Sequence, residues 1–206
     1  VGKSKSLAHP LFICLMSPLL SAETWEHMYA PYDAATYQAV LGQIRPEEVI
    51  LDIGAGDLRL ARQMADIARK VYALEIAPEL FSRATEQKPL PENLIPICAD
   101  ARTWDFPLDL TTGVLMMRHC THFQLYAQKL LGSGAKRLIT NARWGMDVET
   151  IDLAAFRIPY TDFQLGWYAC WCSKTGFKTG PADLLTEDLL NYTVEVADCP
   201  NCKQPF

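Results

Sequence analysis

Val49-Ile50-Leu51-Asp52-Ile53-Gly54-Ala55-Gly56-Asp57 is the stretch whose reading settles the fold. A short apolar run ending in two glycines reads as a buried strand that stops at a tight turn. Beyond it Ala61, Met64, Ala65 and Ala68 recur at helical spacing, while Arg59, Arg62, Asp66 and Arg69 take the opposite face. The unit is therefore strand, glycine turn and amphipathic helix. Glycine lets the backbone turn sharply and lets a ligand approach it closely, and the free amides at the start of the helix meet polar or anionic groups. A nucleotide-like ligand is expected at this turn.

The same alternation continues outward. Val71 to Leu74 is a second strand, Pro78 suits the first turn of the next helix, and Pro89, Pro91 and Asn93 close that helix. Leu94 to Cys98 is a third strand. Pro96 lies inside it and cannot donate a ladder hydrogen bond, which confines the strand to a sheet edge. Thr111 to Met117 is a fourth strand, and Phe123, Tyr126, Ala127, Leu130 and Leu131 then mark a helix that Gly132 and Gly134 stop. Arg137 to Asn141 is a fifth strand. Alternating strands and helices predict an α/β fold, a doubly wound, mostly parallel sheet with helices on both faces.

After residue 144 the alternation weakens and aromatic residues accumulate, among them Phe156, Tyr160, Trp167, Trp171 and Phe177. From Phe163 to Cys172 the two-residue period puts Phe163, Leu165, Trp167, Ala169 and Trp171 on an apolar face, with Gln164, Gly166, Tyr168, Cys170 and Cys172 on a chemically active one. Tyr192 to Val196 is expected to pair with this strand and finish the sheet. The chain thus divides into a helical or lid segment over 1–44, a ligand-binding core over 45–144, and C-terminal strands over 145–206.

With 206 residues, 50% of them hydrophobic, the chain can bury a core without disulfides or a partner. Its 19 basic and 24 acidic residues leave a charge of −5 and no long basic run, which disfavours general nucleic-acid binding. Apolar residues never run unbroken for the roughly 18 positions a membrane-spanning helix requires. Lys3, Lys5 and the apolar Leu11 to Leu20 have the outline of a secretory signal, but Pro10 and Pro18 interrupt it, and the reading is a cytoplasmic protein.

The third glycine of the dinucleotide fingerprint would fall at Arg59, which weakens NAD or FAD as the ligand. What survives is Glu75, 19 residues after Gly56 at the end of the second strand and suited to ribose hydroxyls, and Asp100, two residues beyond the third strand. Asp52, Gly54-Ala55-Gly56, Glu75 and Asp100, in this order and in register with the strands, resemble the nucleoside-binding signature of the class I S-adenosylmethionine-dependent methyltransferases over about residues 45 to 142. The resemblance implies a seven-stranded Rossmann-like sheet and S-adenosylmethionine as cofactor. It also implies that Gly54, Ala55 and Gly56 admit the methionine part while Asp52 organises the loop. Glu75, with Ile76 beside it, would hold the ribose, Asp100 and Ala101 the adenine, and Met117 would close the site. A leucine at 58 and an aspartate at 57 stand where many relatives carry small residues.

Methyl transfer is an in-line displacement that depends above all on alignment of the two reactants. Met117, Arg118, His119, Cys120 and His122 follow the fourth strand and would face the acceptor. His119 is the first candidate for a proton acceptor and His122 the second, because imidazole titrates near neutrality; the plainer reading makes both of them loop or helix-capping residues. Adenine-N6 and cytosine-N4 methyltransferases carry Asn or Asp with Pro-Pro-aromatic, or Asn-Leu-Pro-Tyr, at this point. Met116-Met117-Arg118-His119-Cys120 does not match, so an exocyclic base amine is not supported. Tyr29-Ala30-Pro31-Tyr32-Asp33 suits a lid over the cofactor, or tyrosines packed on the sheet.

Seven cysteines are present, and four of them gather late: Cys170 and Cys172, then Cys199 and Cys202 across 26 intervening residues. CxxC is a familiar metal-ligand spacing and CxC a less typical one, and four thiolates suit tetrahedral Zn2+ of a structural kind. Reduced, unligated thiols and a redox pair are the alternatives. The expectation is a methyltransferase acting on an O or N nucleophile of a small molecule or protein ahead of RNA. The alternatives are an RNA methyltransferase that uses the zinc module for recognition, and a nucleoside-binding interaction protein without catalysis.

Overall fold

The computed structural model describes residues 32–86, 89–118, 120–144 and 147–202. Ala34–Leu41 forms α1, whose first turn is capped by Asp33 accepting from the Thr36 amide at 2.7 Å. The core then runs β1 (Val49–Ile53), α2 (Arg59–Ala65), β2 (Lys70–Glu75), α3 (Pro78–Glu86), β3 (Leu94–Cys98), β4 (Thr112–Leu115), α4 (Phe123–Gly132), β5 (Arg137–Thr140) and β6 (Glu149–Asp152). These six strands make one sheet in the order β3-β2-β1-β4-β5-β6. All neighbours are parallel except β6, which returns antiparallel along β5.

Every residue of β1 and β4 is buried, as expected for central strands covered on both faces. One apolar cluster joins Leu51, Ile53 and Leu115 to Phe123, Tyr126, Ala127 and Leu130 of α4. Another joins Ile50, Val71 and Val114 to Leu60, Ala61 and Met64 of α2. Pro96 does sit on the edge strand, opposite Ala73 of β2. The chain reverses between β1 and β4 at the centre of the sheet, opening a crevice at the carboxyl ends of these strands.

The C-terminal strands differ from the expectation. β7 (Gly166–Cys170), β8 (Thr175–Lys178) and β9 (Thr193–Val196) form their own three-stranded sheet in the order β8-β7-β9, so among the described residues the principal sheet has six strands rather than seven. β9 pairs parallel with β7 and finishes that small sheet, not the large one. Its own core explains the separation: Phe163, Tyr168, Cys170, Val196 and Cys199 pack on each other. Both faces of β7 are largely covered, and Ala169, Leu165 and Phe163 of the apolar face are buried as read. Tyr168 and Cys170 are buried and Trp167 is 38% exposed, because Val196 and Cys199 cover the cysteine face. Between the strands lie a single 3-10 turn (Ala182–Leu184) and the four-residue helix α5 (Glu187–Leu190).

Among the described residues no helix is long and apolar enough to cross a membrane.

Candidate cofactor and acceptor site

The turn after β1 is held by the neighbouring strand. The Gly54 and Ala55 amides both donate to the Leu74 carbonyl, at 2.8 and 3.0 Å, and the Gly56 amide donates to Glu75 Oε2 at 2.8 Å. The other carboxylate oxygen of Glu75 accepts from the Ala77 amide at 2.8 Å. Glu75 thus ties the glycine turn to the start of α3 while buried at the end of β2. Gly54 has φ +77°, and a β-carbon there would come 3.1 Å from the Met117 methyl, so both the backbone and the space favour glycine.

A cavity of about 250 Å³ opens beside this turn. Gly54, Ile76, Asp100, Ala101, Met117 and His122 line it, joined by Ile53, Leu74, Ala99, Arg102 and Tyr126. Six residues singled out from the sequence therefore share one wall. Asp52, Ala55, Gly56 and Glu75 stand behind it in the strand ends and the loop. His122 precedes the first residue of α4, with its ring 6.1 Å from that of Tyr126. His119, the first candidate for proton transfer, lies outside the described residues, as do Tyr29 and Pro31 of the expected lid. Tyr32 is described: its hydroxyl donates to the Met116 carbonyl at 3.3 Å, and the Arg118 guanidinium sits 4.8 Å over its ring.

Arg102 was not foreseen. It forks onto the Asp100 carboxylate, Nη2 to Oδ2 at 2.6 Å and Nε to both oxygens at 2.9 to 3.0 Å, and these hydrogen bonds hold the Asp100 carboxyl below its usual range. The signal for it was local, a basic residue two places after an acid at the mouth of a strand. Tyr126 was read only as a core residue of its helix.

Asp52 is the electrostatic anomaly. It is 3% exposed, its Oδ2 has no hydrogen-bond partner among the described residues, and the loop is held by Leu74 and Glu75 instead. Burial, reinforced by the Glu75 charge, pushes its carboxyl from 3.8 up to about 7. Between those values the folded chain keeps a proton that the unfolded chain has released, so Asp52 makes stability fall as pH rises across that window. Asp52→Asn is expected to remove that slope, by about 1–3 kcal/mol across the window, in melting curves collected from about pH 4 to 8. An unchanged slope in the variant would place the titration elsewhere.

A glycine turn clasped by an acid on the adjacent strand, beside a cavity at the carboxyl edge of this sheet, is the arrangement expected of a class I S-adenosylmethionine-dependent methyltransferase, and the chain is similar to that family. Residues 33–131, just under half of the chain, match the family model for ribosomal RNA adenine dimethylase. A probable ribosomal RNA small subunit methyltransferase A of Methanosarcina acetivorans is 38% identical over 68 residues, covering 33% of this chain and 25% of that protein. Its counterpart in Methanosarcina mazei is 37% identical over 65 residues, covering 32% and 24%. The chain thus matches about a quarter of the length of these curated relatives. Among solved structures, the 23S rRNA methyltransferase ErmE is similar at 24% identity and a TM-score of 0.47, over 53% of this chain and 46% of that one.

Proposed function

We propose that the chain binds S-adenosylmethionine in the cavity beside Gly54 and transfers its methyl group to RNA. The observation that carries the cofactor half is the convergence of Gly54, Ile76, Asp100, Ala101 and Met117 on one cavity directly beside the Glu75-clasped turn. The residues fit the group: the positive-φ Gly54 leaves room that a side chain would fill, and the unpartnered Asp52 oxygen is a buried acceptor beside the turn. When bound, the sulfonium supplies an activated methyl carbon. The acceptor's lone pair forms the new bond as the carbon–sulfur bond breaks and its electron pair stays on sulfur. The chain's own task is alignment, with the Glu75 carboxylate and the Ala101 region fixing the nucleoside and Met117 packing over the turn.

RNA takes precedence over the small-molecule or protein acceptor favoured by the sequence alone, because the matched family model and both curated relatives are ribosomal RNA enzymes. Two guanidinium groups, those of Arg102 and Arg118, also stand at this edge. The adenine-specific Asn-Leu-Pro-Tyr element has no counterpart at Met116-Met117-Arg118-His119, so the nucleophile is an oxygen or nitrogen of the RNA that need not be an exocyclic amine. His122 lines the cavity, which supports it as the group that takes the proton.

Incubation with methyl-labelled cofactor and, separately, ribosomal RNA, total protein and a small-molecule extract tests this reading. Label is expected in RNA, and S-adenosylhomocysteine is expected to bind far more tightly than NADH. Label confined to protein or small molecules would overturn the acceptor. Tight cofactor binding with no label in any fraction would favour a non-catalytic nucleoside-binding protein, the reading to which the missing element points. His122→Gln is expected to lower turnover about 10²-fold with cofactor affinity intact, and an unaltered rate would remove it from proton transfer.

A further inference from the structure

The four late cysteines belong to two separated pieces of chain, yet their sulfurs all lie within 4.8 Å of one another. Cys170 ends β7, Cys172 follows in the turn to β8, and Cys199 and Cys202 bracket the turn after β9. Two features shape the donors. Ser173 takes the left-handed conformation, with φ +76°, so that the chain reverses directly after Cys172, and the Cys170 amide closes the turn onto the Lys174 carbonyl at 2.8 Å. On the other side the Cys199 amide donates to Cys202 Sγ at 3.2 Å, a bond that favours an anionic sulfur.

We propose that Cys170, Cys172, Cys199 and Cys202 hold one Zn2+ in a closed tetrathiolate site that builds the C-terminal sheet and locks it to the principal one. The spacing of the sulfurs discriminates between the chemistries available to them. Zn–S bonds of about 2.3 Å in a tetrahedron put neighbouring sulfurs about 3.8 Å apart. The Cys170–Cys202, Cys172–Cys199 and Cys199–Cys202 separations are 3.5, 3.7 and 3.8 Å. In a disulfide the sulfurs stand about 2.05 Å apart. Each sulfur also has more than one cysteine neighbour, an arrangement that serves a shared central ion and not a pair of bridges.

The position of the site gives the metal its work. Trp171, between two ligands, packs against the apolar cluster of the principal sheet, and the Arg157 guanidinium covers its ring at 4.0 Å. Besides the cysteines, the small sheet's core rests on Phe163, Tyr168 and Val196 with Ile158, Tyr160 and Val194 packed against them, a small apolar cluster that a metal staple reinforces. Binding exchanges four thiol protons for one ion, and with four protein sulfurs the coordination shell is full, leaving no position for substrate or water.

The test uses the full chain, purified under reducing conditions without chelator. One zinc per chain is expected. After its removal, added Co2+ should give the intense visible bands of a tetrahedral thiolate complex, which Zn2+ then displaces. Zn2+ should also shield four of the seven cysteines from a thiol reagent, with a chelator re-exposing them. Cys202→Ser should lose the cobalt bands and lower the melting temperature, whereas Cys98→Ser should keep both. Because a ligand variant can fail to fold, the wild-type cobalt spectrum and thiol protection decide the matter alone. A reduced, metal-free chain that takes up no Co2+ with thiolate bands, or two disulfides in the folded chain, would overturn the site.

Discussion

Glu75→Ala is expected to abolish measurable S-adenosylhomocysteine binding, a loss of at least about 100-fold, and to lower the melting temperature as well. The carboxylate is 6% exposed, and each of its oxygens accepts a backbone amide, from Gly56 and from Ala77. Hydrogen bonds to a charged acceptor are each worth about 1.5–3 kcal/mol, and two amides left unpaired at a buried turn cost a similar amount. The same group is the one proposed to meet the ribose hydroxyls. Glu75→Gln separates these roles: its single carbonyl oxygen restores one amide bond, and its NH2 cannot accept the other. Glutamine should therefore recover more stability than binding, read by calorimetric titration beside thermal melts. Folded Glu75→Ala protein that binds the ligand with wild-type affinity would mean that the cofactor lies elsewhere.

Arg143→Ala is expected to be the most destabilising single substitution outside the apolar core. The side chain is 2% exposed and forks onto two carboxylates, Glu149 of β6 at 2.6 to 2.8 Å and Glu195 of β9 at 2.7 to 2.9 Å. One guanidinium thus joins the edge of the principal sheet to the small one. In the variant Glu149 loses its partner, while Glu195 keeps a longer contact to Arg157 at 3.6 Å. Removing one partner of a buried ion pair costs up to about 3–5 kcal/mol. In a chain of this size that corresponds to a melting temperature lower by on the order of 10 °C. Arg143→Lys should recover little, since an ammonium cannot form two planar forks. Replacing Arg143 and Glu149 together by Met and Gln should recover more, because Glu149 then leaves no unpaired charge and Glu195 keeps its ion pair with Arg157 at 3.6 Å. A single alanine variant as stable as wild type would show that packing, not this clamp, joins the sheets.

These two residues differ in how far the sequence announces them. Glu75 was legible as a position because that position is set by local order: a strand, a two-glycine turn, a helix, and an acid closing the next parallel strand. Pro96 was legible for a similar reason, since a missing donor excludes a residue from the middle of a sheet whatever surrounds it. The cysteine quartet was legible as spacing, though not as geometry. Arg143 carries no such signal. Its partners lie 6 and 52 residues away, and a lone arginine between Ala142 and Trp144 could as easily face solvent. Arg102 falls between the two cases, its partner nearby but its place in the cavity wall visible only in three dimensions.

Read alone, the amino-acid order determined the alternating core, the edge position of β3, the two-glycine turn after β1 and the acid that ends β2. Each follows from periodicity or backbone chemistry acting over a few residues. Only the tertiary structure decided that β7, β8 and β9 form a second sheet, that Tyr168 and Cys170 are buried while Trp167 is left partly exposed, that Glu75 holds the glycine turn, and that Arg143 joins the two layers. A strand's period of two assigns residues to opposite faces but cannot say which face will be covered. That depends on the segments that arrive from elsewhere in the chain, here Val196 and the Cys199 turn.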